Sequence, residues 1–366
     1  MYKSKELLFH FSLFTIHFSL AVFIFFLSCN SLHAGSYYQP RSYGSDSLYS
    51  PFSNFLSYSF DTLQLPENFS NDNFKANSEL VFDHLGAPIQ AIDNEGGNAA
   101  FVNRQIFPVN GEDPDERYGA LPNYFLHMIG GGMVYRKDLE WFRAHDYDYA
   151  TTWAVSLAMT AELVQEILEK NTTTDDDEVA DVYLFRPIGI LLFHQDAVAE
   201  FVMEYFDPAI WPSLQVLDIS EGNINNAGLH YVYRPTFLKN DSVGFFAYTG
   251  LNNLFGLSHN IGGGESISWG VGASVQKIDF ELDRQAELDA SAGVFWDRNK
   301  SLLASLVIND TGGHRFRFNW YPRHDSWGEG RSIPGQFGYF LGKHEADRWS
   351  AGVVYRIQLG IGFSLD

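Results

Sequence analysis

Cysteine is nearly absent from this chain, since Cys29 is the only one among 366 residues. No intramolecular disulfide can therefore form, whatever the redox compartment. Basic residues are also scarce: 24 Lys and Arg stand against 45 Asp and Glu, which gives a formal charge of −21. Proteins that bind nucleic acid cluster Lys and Arg against the phosphates, so this deficit excludes a nucleic-acid partner.

Charged residues of both signs make up only 19% of the chain, whereas 16% of it is aromatic and 32 residues are glycine. This composition suits an all-β membrane protein, in which aromatic rings belt the interfaces and glycine eases strand curvature.

Residues 349–365 carry the strongest pattern in the chain. The odd positions are all apolar or aromatic, and the even positions are small or polar except for Val354. Because side chains alternate across a strand, we predict one long β-strand with an apolar face and a polar face. Its length exceeds the ~9–11 residues that a tilted membrane-spanning strand needs, which favours a transmembrane barrel over a sandwich.

The same alternation recurs through the last third of the chain, with short turns between the alternating segments. These segments are 229–238, 243–257, 266–276, 286–297, 301–309, 313–321 and 336–342, followed by 349–365. The segment 243–257 counts as one strand or as two, and barrels of this kind have an even number. The predicted fold is therefore mainly β: an antiparallel up-and-down transmembrane β-barrel of 8 or 10 strands over residues 213–366.

The polar faces of these strands carry charges of both signs. The predicted lumen network consists of Glu287, Asp289, Arg315, Arg317 and Arg356. The interior of a small barrel is just filled by side chains, and an unpaired buried charge is costly. We therefore predict that these charges pair across the lumen and that the barrel has a filled core rather than an open pore.

The end of the chain adds a resemblance to a known signal. Gln358, Gly360, Phe363 and Leu365 follow the order polar, x, Gly, x, x, aromatic, x, apolar. This resembles the C-terminal insertion signal of bacterial outer-membrane barrels, although Asp366 stands where that pattern ends on an aromatic residue. The resemblance implies recognition by the barrel-assembly machinery and residence among outer-membrane lipids.

The first 34 residues have the organisation of an export signal. Lys3 and Lys5 precede an apolar run over 7–27, and small residues follow up to Ala34. We predict a secretory signal peptide over residues 1–34, cleaved after Ala34. Two alternatives are a lipoprotein acylated at Cys29 and an uncleaved anchor, since the apolar run is long enough to span a bilayer. Export follows in each case.

The middle of the chain divides into two regions. Residues 35–120 begin rich in aromatic residues, Ser and Asn and continue with frequent turn signals, so we predict irregular structure with short strands. The aromatic part is a flexible linker or docks on the barrel wall or mouth. Residues 121–212 are predicted to be a helical module, with a strong helix over 149–170 and another over 180–206 that is interrupted near Pro187. The acidic run 175–178 is interpreted as a solvated helix cap rather than a calcium site.

The helical module contains the only residues in the sequence that suggest chemistry. Glu162 and Glu166 lie four residues apart on one helix face, and His127 and Asp181 lie on flanking helices. A His with two or three carboxylates suits a metal ion or a general acid/base pair. The preferred interpretation is a hydrogen-bonded polar network between packed helices. His127, Glu162 and Asp181 are the candidate catalytic residues.

The order of these residues also resembles a known helical core. Asn123-x-x-x-His127, the run from Glu162 to Gln165, and Asp181 before Gly189 are similar to the core of VanZ-like proteins and related exported families. In those families the Asp lies seven residues before the Gly rather than eight. The resemblance implies that a similar helical module precedes barrels elsewhere, and it carries no established reaction.

These observations predict an exported protein of the bacterial outer membrane whose helical module lies in the periplasm. The expected role is structural, envelope-organising or partner-binding, with outer-membrane lipid, the barrel-assembly machinery and an envelope protein as partners. No cofactor and no metal ion is assigned. One alternative is a membrane-embedded lipid-modifying hydrolase that uses His127, Glu162 and Asp181. Another is a small anion or lipid conduit.

Overall fold

The structure is a computed structural model. It describes residues 36–65, 73–107, 123–170, 176–220, 222–226, 228–279, 285–310, 314–322, 337–344, 348–355 and 359–365. The predicted signal peptide, with Cys29, lies outside the described residues and stays a prediction.

The described residues before 207 are mostly helical. The α-helices are α1 (Pro51–Ser59), α2 (Phe74–Gly86), α3 (Pro88–Asn94), α4 (Gly97–Phe101), α5 (Gly131–Ala144), α6 (Ala150–Glu169), α7 (Asp177–Ala180), α8 (Arg186–His194) and α9 (Asp196–Phe206). Three π-helical segments interrupt them: π1 (Val102–Ile106), π2 (Asn123–Gly130) and π3 (Asp181–Phe185). Short 3₁₀ turns occupy Ser45–Ser47, Asp61–Gln64 and Thr236–Leu238.

The prediction of a strong helix over 149–170 is confirmed by α6. The second predicted helix breaks at Gln195, between α8 and α9, while Pro187 sits in the first turn of α8, where its missing N–H is not needed. The prediction of irregular structure with short strands after residue 80 is wrong for residues 80–107, which form α2 to α4 and π1. Turn residues such as Pro88 and Gly97 mark helix starts there rather than hairpins.

The described residues from 209 onwards contain one sheet of thirteen strands. The strands are β1 (Ala209–Pro212), β2 (Gln215–Asp218), β3 (Asn223–Asn225), β4 (Leu229–Tyr233), β5 (Val243–Thr249), β6 (Asn252–Gly262), β7 (Glu265–Asp279), β8 (Gln285–Arg298), β9 (Ser301–Asn309), β10 (His314–Trp320), β11 (Phe337–His344), β12 (Trp349–Tyr355) and β13 (Leu359–Leu365). Strands β4 to β13 follow one another as an antiparallel meander. The predicted count of 8 or 10 is not confirmed, because β1 to β3 join the same sheet.

The predicted alternation of faces is confirmed on the long strands. On β7, Ile267, Trp269 and Val271 are exposed, whereas Ser268 and Gly270 between them are buried. On β8, Val294 is 49% exposed and Phe295 is fully buried. The apolar face of the sheet therefore points outwards, and the small, polar or aromatic face points into the curl of the sheet.

The prediction of a single strand over residues 349–365 is wrong. The segment forms a hairpin of β12 and β13, in which Trp349 pairs with Leu365 and Val354 pairs with Gly360. Paired residues have the same parity, so the outward face stays on odd positions through the turn. A hairpin of this kind and one long strand therefore show the same alternation in sequence. The length of the alternating pattern is then no evidence for a membrane-spanning strand.

The inward faces of strands from all parts of the sheet meet in one apolar cluster. Its members are Leu48, Ala209, Trp211, Leu214, Val216, Val232, Phe246, Tyr248, Leu254, Phe295, Leu302, Val307, Tyr321, Phe340 and Val354. Glycine permits the close contacts, since a Cβ on Gly352 would lie 2.3 Å from the side chain of Val216. The side chains of this cluster are thus closely packed against one another.

The helical module packs beside the sheet, against β1 and β4. Trp211 and Val232 on these strands point into the sheet cluster, whereas Ile210 and Tyr231 point the other way and pack among α5, α6 and α8. Both faces of β1 and β4 are therefore buried, and outward exposure of large apolar side chains resumes on β6 with Phe255.

Residues 36–65 tie the two regions together. The backbone N–H of Leu302 donates to Ser45 Oγ at 3.1 Å, Ser301 Oγ donates to the carbonyl of Tyr43 at 3.0 Å, and Leu48 is buried in the sheet cluster. The flexible-linker interpretation is therefore wrong for this part of the segment, which packs on the sheet; docking on the wall or mouth of a barrel stays a prediction.

Candidate functional site

The three candidate catalytic residues come together in the core of the helical module. His127 Nδ1 lies 2.6 Å from Glu162 Oε1, and His127 Nε2 lies 4.0 Å from Asp181 Oδ2. All three side chains are buried. They come from π2, α6 and π3, so the site assembles only when these segments pack.

Glu166 completes a group of four. His127, Glu162, Glu166 and Asp181 each present one ligand-type atom, and these atoms all lie within 4.8 Å of one another. The spacing of Glu162 and Glu166 along α6 places both carboxylates on one helix face. Gln165, on the same helix, instead donates to Glu169 at 2.8 Å.

Two further residues hold Glu162 in place. Tyr58 on α1 donates from its hydroxyl to Glu162 Oε2 at 2.6 Å. The fully buried Arg186 lies with Nε 3.5 Å from the same oxygen, and its guanidinium stacks over the Tyr58 ring at 4.5 Å. Oxygen Oε2 of Glu162 is thus engaged by Tyr58 and Arg186, and oxygen Oε1 faces His127.

Burial and neighbouring charges shift the pKa values of the four groups in different directions. Burial alone lowers the pKa of His127, but the carboxyls of Asp181 and Glu162 raise that pKa to about 10. Burial opposes the ionisation of Glu162, yet His127 and Arg186 hold its pKa below the usual range. Burial, and then the neighbouring carboxyls, raise the pKa of Glu166 and of Asp181 well above the usual range. Holding all the carboxylates charged here is therefore costly without a further cation.

Glycine brings the segments of the site together. A Cβ on Gly131 would lie 1.9 Å from Arg186 Nη1, and a Cβ on Gly189 would lie 2.3 Å from the carbonyl oxygen of Met128. Helix α8 can therefore approach π2 closely enough for Asp181 to reach His127. This gives Gly189, part of the resemblance to VanZ-like proteins, a packing role.

A second polar network adjoins the site. Lys170 Nζ donates to Glu178 Oε1 at 2.8 Å, and Arg104 Nη2 donates to Asp176 Oδ2 at 2.8 Å. The buried Asn123 donates to Gln105 Oε1 at 3.1 Å. The interpretation of 175–178 as a solvated cap is therefore wrong for Asp176 and Glu178, which are buried and ion-paired because Lys170, directly after α6, and a basic residue of π1 face them.

The comparisons with known proteins assign no family to this chain. No family model, curated protein or solved structure matches this chain. The resemblances to VanZ-like proteins and to outer-membrane barrels stay predictions.

The predicted pairing of charges across the lumen is not confirmed, since the described partner of Arg317 is a neutral side chain. Arg317 is buried and donates to Asn252 Oδ1 at 2.9 Å, and Asp289 is half-buried. Arg315 is exposed, because the pairing of β10 with β11 shifts register between His314 and Phe316. The side chain of Glu287 and the whole of Arg356 lie outside what the structure describes.

The interior holds an ion pair that sequence reasoning missed. Arg234 Nη1 donates to Asp297 Oδ2 at 3.3 Å, and the guanidinium lies 5.3 Å from the centre of the Trp211 ring. Asp297 belongs to the inward parity of β8, which was the available signal. Arg234 follows the end of β4, where alternation stops, so nothing in its spacing marked it.

The residues of the predicted insertion signal lie on and beside the last strand. Gly360, Phe363 and Leu365 belong to β13, and Phe363 is 54% exposed on the outward face. Gln358 lies outside the described residues.

Two surface clefts are described, and neither is lined by the four clustered residues. One is lined by Arg41, Lys137 and Lys300 among others, and the second by Asp207, Arg234 and Lys239 among others. None of the helices in the described ranges combines the length and hydropathy that crossing a bilayer requires.

Proposed function

We propose that this protein is a β-barrel of the bacterial outer membrane that carries a helical module against one part of its wall. Its role is structural, envelope-organising or partner-binding. The observation that carries the proposal is the belt of large apolar side chains exposed on β6 to β13. The belt comprises Phe255, Leu257, Ile261, Ile267, Trp269, Val271, Leu288, Val294, Ile308, Trp320, Tyr339, Leu341, Trp349, Val353, Tyr355, Ile361 and Phe363.

The size of this belt supports a lipid environment. Water-soluble monomers rarely expose contiguous apolar patches larger than a few hundred Å². The belt also includes Trp and Tyr, which outer-membrane barrels concentrate at the two interfaces of the membrane. On a soluble sandwich these faces would pack against a second sheet, yet the apolar side chains of β7 and β8 are open.

The pairing at the ends of the meander supports closure of the sheet. Strand β1 pairs antiparallel with β4, and β2 pairs parallel with β13. Only Ser213 and Leu214 separate β1 from β2, so one short stretch of chain joins the first and last strands of the meander. Closure removes the open edges that lipid does not tolerate.

Strand length agrees with the proposal independently of the final hairpin. Strands β6, β7 and β8 have 11, 15 and 14 residues, and a tilted strand needs ~9–11 residues to cross the membrane. The close packing of the inward-facing side chains of the sheet favours a structural role over the anion or lipid conduit. Repeated insertion into planar bilayers tests that choice, because stable ion conductance would support the conduit.

Heat-modifiable gel mobility of the detergent-solubilised protein tests the membrane assignment. Barrels keep their fold in unheated detergent, so we expect the unheated protein to migrate differently from the boiled protein and to fractionate with outer membranes. Equal mobility in both samples, with the protein in the soluble fraction, would overturn the proposal.

The second candidate is the lipid-modifying hydrolase, which the convergence of His127, Glu162 and Asp181 favours. Against it, these residues are buried and line neither of the two described clefts. The variant Glu162→Gln separates the two roles. An enzyme loses release of fatty acid from phospholipid vesicles while it keeps its melting temperature, whereas a structural network loses stability and has no such activity to lose.

A further inference from the structure

The cluster in the helical module has the features of a metal site as well as those of a polar network. Its four groups come from three separate segments and converge to within 4.8 Å in the buried core. Metal–ligand bonds of roughly 2.0–2.2 Å place opposite ligand atoms about 4 Å apart, so small side-chain movements would close a coordination shell.

Unpartnered oxygen atoms give a second, independent indication. Glu166 Oε1 and Asp181 Oδ1 are buried and have no hydrogen-bond partner among the described residues. Glu166 is 4% exposed and Asp181 is 1% exposed. Buried carboxylate oxygens in proteins are normally hydrogen-bonded or bound to a cation. These two unpartnered atoms therefore indicate that a ligand binds here.

The backbone gives a third indication. His127 lies in π2 and Asp181 lies in π3. A π-helical turn is rare and costs hydrogen-bond quality, and it occurs frequently where a helix carries a functional residue. Here the two wide turns bring the imidazole of His127 and the carboxylate of Asp181 to 4.0 Å from each other.

The geometry of His127 assigns different roles to the carboxylates. Glu162 Oε1 lies 2.6 Å from Nδ1, which makes it the acceptor of the Nδ1 proton. Nitrogen Nε2 faces Asp181 at 4.0 Å, and a bound metal ion would displace the proton that Nε2 carries when the imidazole is charged. A metal-bound histidine is commonly oriented in this way by a carboxylate on its other nitrogen. Tyr58 and Arg186 fix that carboxylate in turn.

We propose that His127 Nε2, Glu166 and Asp181 bind one divalent transition-metal ion, with Glu162 as the positioning residue that orients the imidazole. One nitrogen and several carboxylate oxygens suit Mn²⁺, Fe²⁺ or Zn²⁺, whereas Mg²⁺ and Ca²⁺ prefer oxygen alone. The ion would offset the carboxylate charge in the helical core. This inference does not depend on the membrane assignment. The barrel is tested by heat-modifiable gel mobility, which requires no metal, so either proposal can fail without the other.

Metal uptake by the full-length protein in detergent tests the site. After treatment with a chelator, the protein is titrated with Zn²⁺ and separately with Mn²⁺, and bound metal is measured by elemental analysis. We expect saturable uptake of one equivalent per chain and a rise in melting temperature. Absence of saturable uptake of both ions by folded protein would overturn the proposal, and would leave proton sharing to offset the charge.

Three variants and a matched control locate the ion. Glu166→Gln and Asp181→Asn each remove a ligand, so we expect loss of uptake. Glu162→Gln removes the orienting carboxylate, which typically costs 10- to 100-fold in affinity. Glu169→Gln changes a carboxylate on the same helix outside the cluster and is expected to keep one equivalent. Unchanged uptake in both ligand variants would contradict the assignment.

A spectroscopic measurement on the unmodified protein covers the case in which the ligand variants do not fold. Pulsed electron paramagnetic resonance of the Mn²⁺-loaded protein detects nitrogen bound to the metal. We expect the coupling of one imidazole nitrogen, and its absence would overturn the ligand set.

Discussion

The interiors of the sheet and of the helical module are built on different principles. On the inward face of the sheet lie mainly Ser, Gly and aromatic or aliphatic residues. The charges described there belong to a few residues such as Arg234, Asp297 and Arg317. Within the helical module, ionisable groups are concentrated around His127 and Glu162. The sheet depends on faces that alternate along each strand, whereas the module depends on charges brought together from distant segments.

The two regions also differ in what surrounds them. The outward face of β6 to β13 exposes large apolar side chains, while the face of β1 and β4 is covered by helices. The helices thus cover β1 and β4 on the side that the surrounding medium would otherwise contact. The two parts of the sheet therefore differ in whether their outward apolar side chains are covered by helices or exposed.

A charge on the outward face gives the largest expected effect on this comparison. Val271 is 59% exposed on β7, and an arginine near the midplane of a membrane barrel costs ~2–4 kcal/mol. We therefore expect Val271→Arg to lower the unfolding free energy in lipid by that amount. The control Ser156→Arg, at an exposed position of α6, is expected to stay within about 0.5 kcal/mol. Equal, small effects at both positions would show that the strand face meets water.

Close packing inside the helical module gives the next largest effect. A Cβ on Gly189 would meet the carbonyl oxygen of Met128 at 2.3 Å, whereas a Cβ on Gly86 would meet nothing within 4 Å. Overpacking of this kind costs ~1–3 kcal/mol, so we expect Gly189→Ala to destabilise the protein and to separate π2 from α8. Gly86→Ala is the matched control and is expected to be neutral. Denaturant unfolding in detergent measures both, and equal stability of the two variants would contradict the packing role of Gly189.

A third expected effect concerns the pH dependence of the helical module. Burial raises the pKa of Asp138 to about 7, although hydrogen bonds from Tyr49 and Asn54 and the charges of Arg186 and Lys137 oppose the rise. The folded state therefore binds a proton that the unfolded state releases near pH 4. The resulting stabilisation is fully present below that pH and is lost as pH rises through about 7.

Asp138→Asn tests this expectation, because the amide has no proton to lose. We expect the unfolding free energy of the parent protein to fall more steeply between pH 5 and pH 8 than that of the variant, measured under the same detergent conditions. Parallel pH profiles would show that Asp138 ionises at its ordinary pKa.

Much of the sheet could be predicted from the sequence because a strand has a period of two. The faces of β7 and β8 were predicted correctly, since each side chain there alternates between inside and outside. The errors lie where register changes. Leu302, an apolar residue of the alternating segment 301–309, points inwards with the polar face, because the pairing of β8 with β9 shifts between Trp296 and Asp297. Arg315 points outwards at a similar shift.

The candidate site was predictable as residue types and not as a structure. His127, Glu162 and Asp181 were singled out because a histidine with carboxylates suits a metal ion or an acid/base pair, and the spacing on α6 also marked Glu166. The roles of Tyr58 and Arg186 were not predictable. Tyr58 lies 104 residues before Glu162, and no local pattern encodes a contact at that separation.

By itself, the sequence determined which side of each long strand is apolar and which helical residues can ionise, because both follow from residue type and local period. The tertiary structure alone decided that residues 349–365 fold back as a hairpin, that helices cover β1 and β4, and that four ionisable side chains share one buried space. Those outcomes depend on long-range pairing, whose energy comes from partners far apart in the chain.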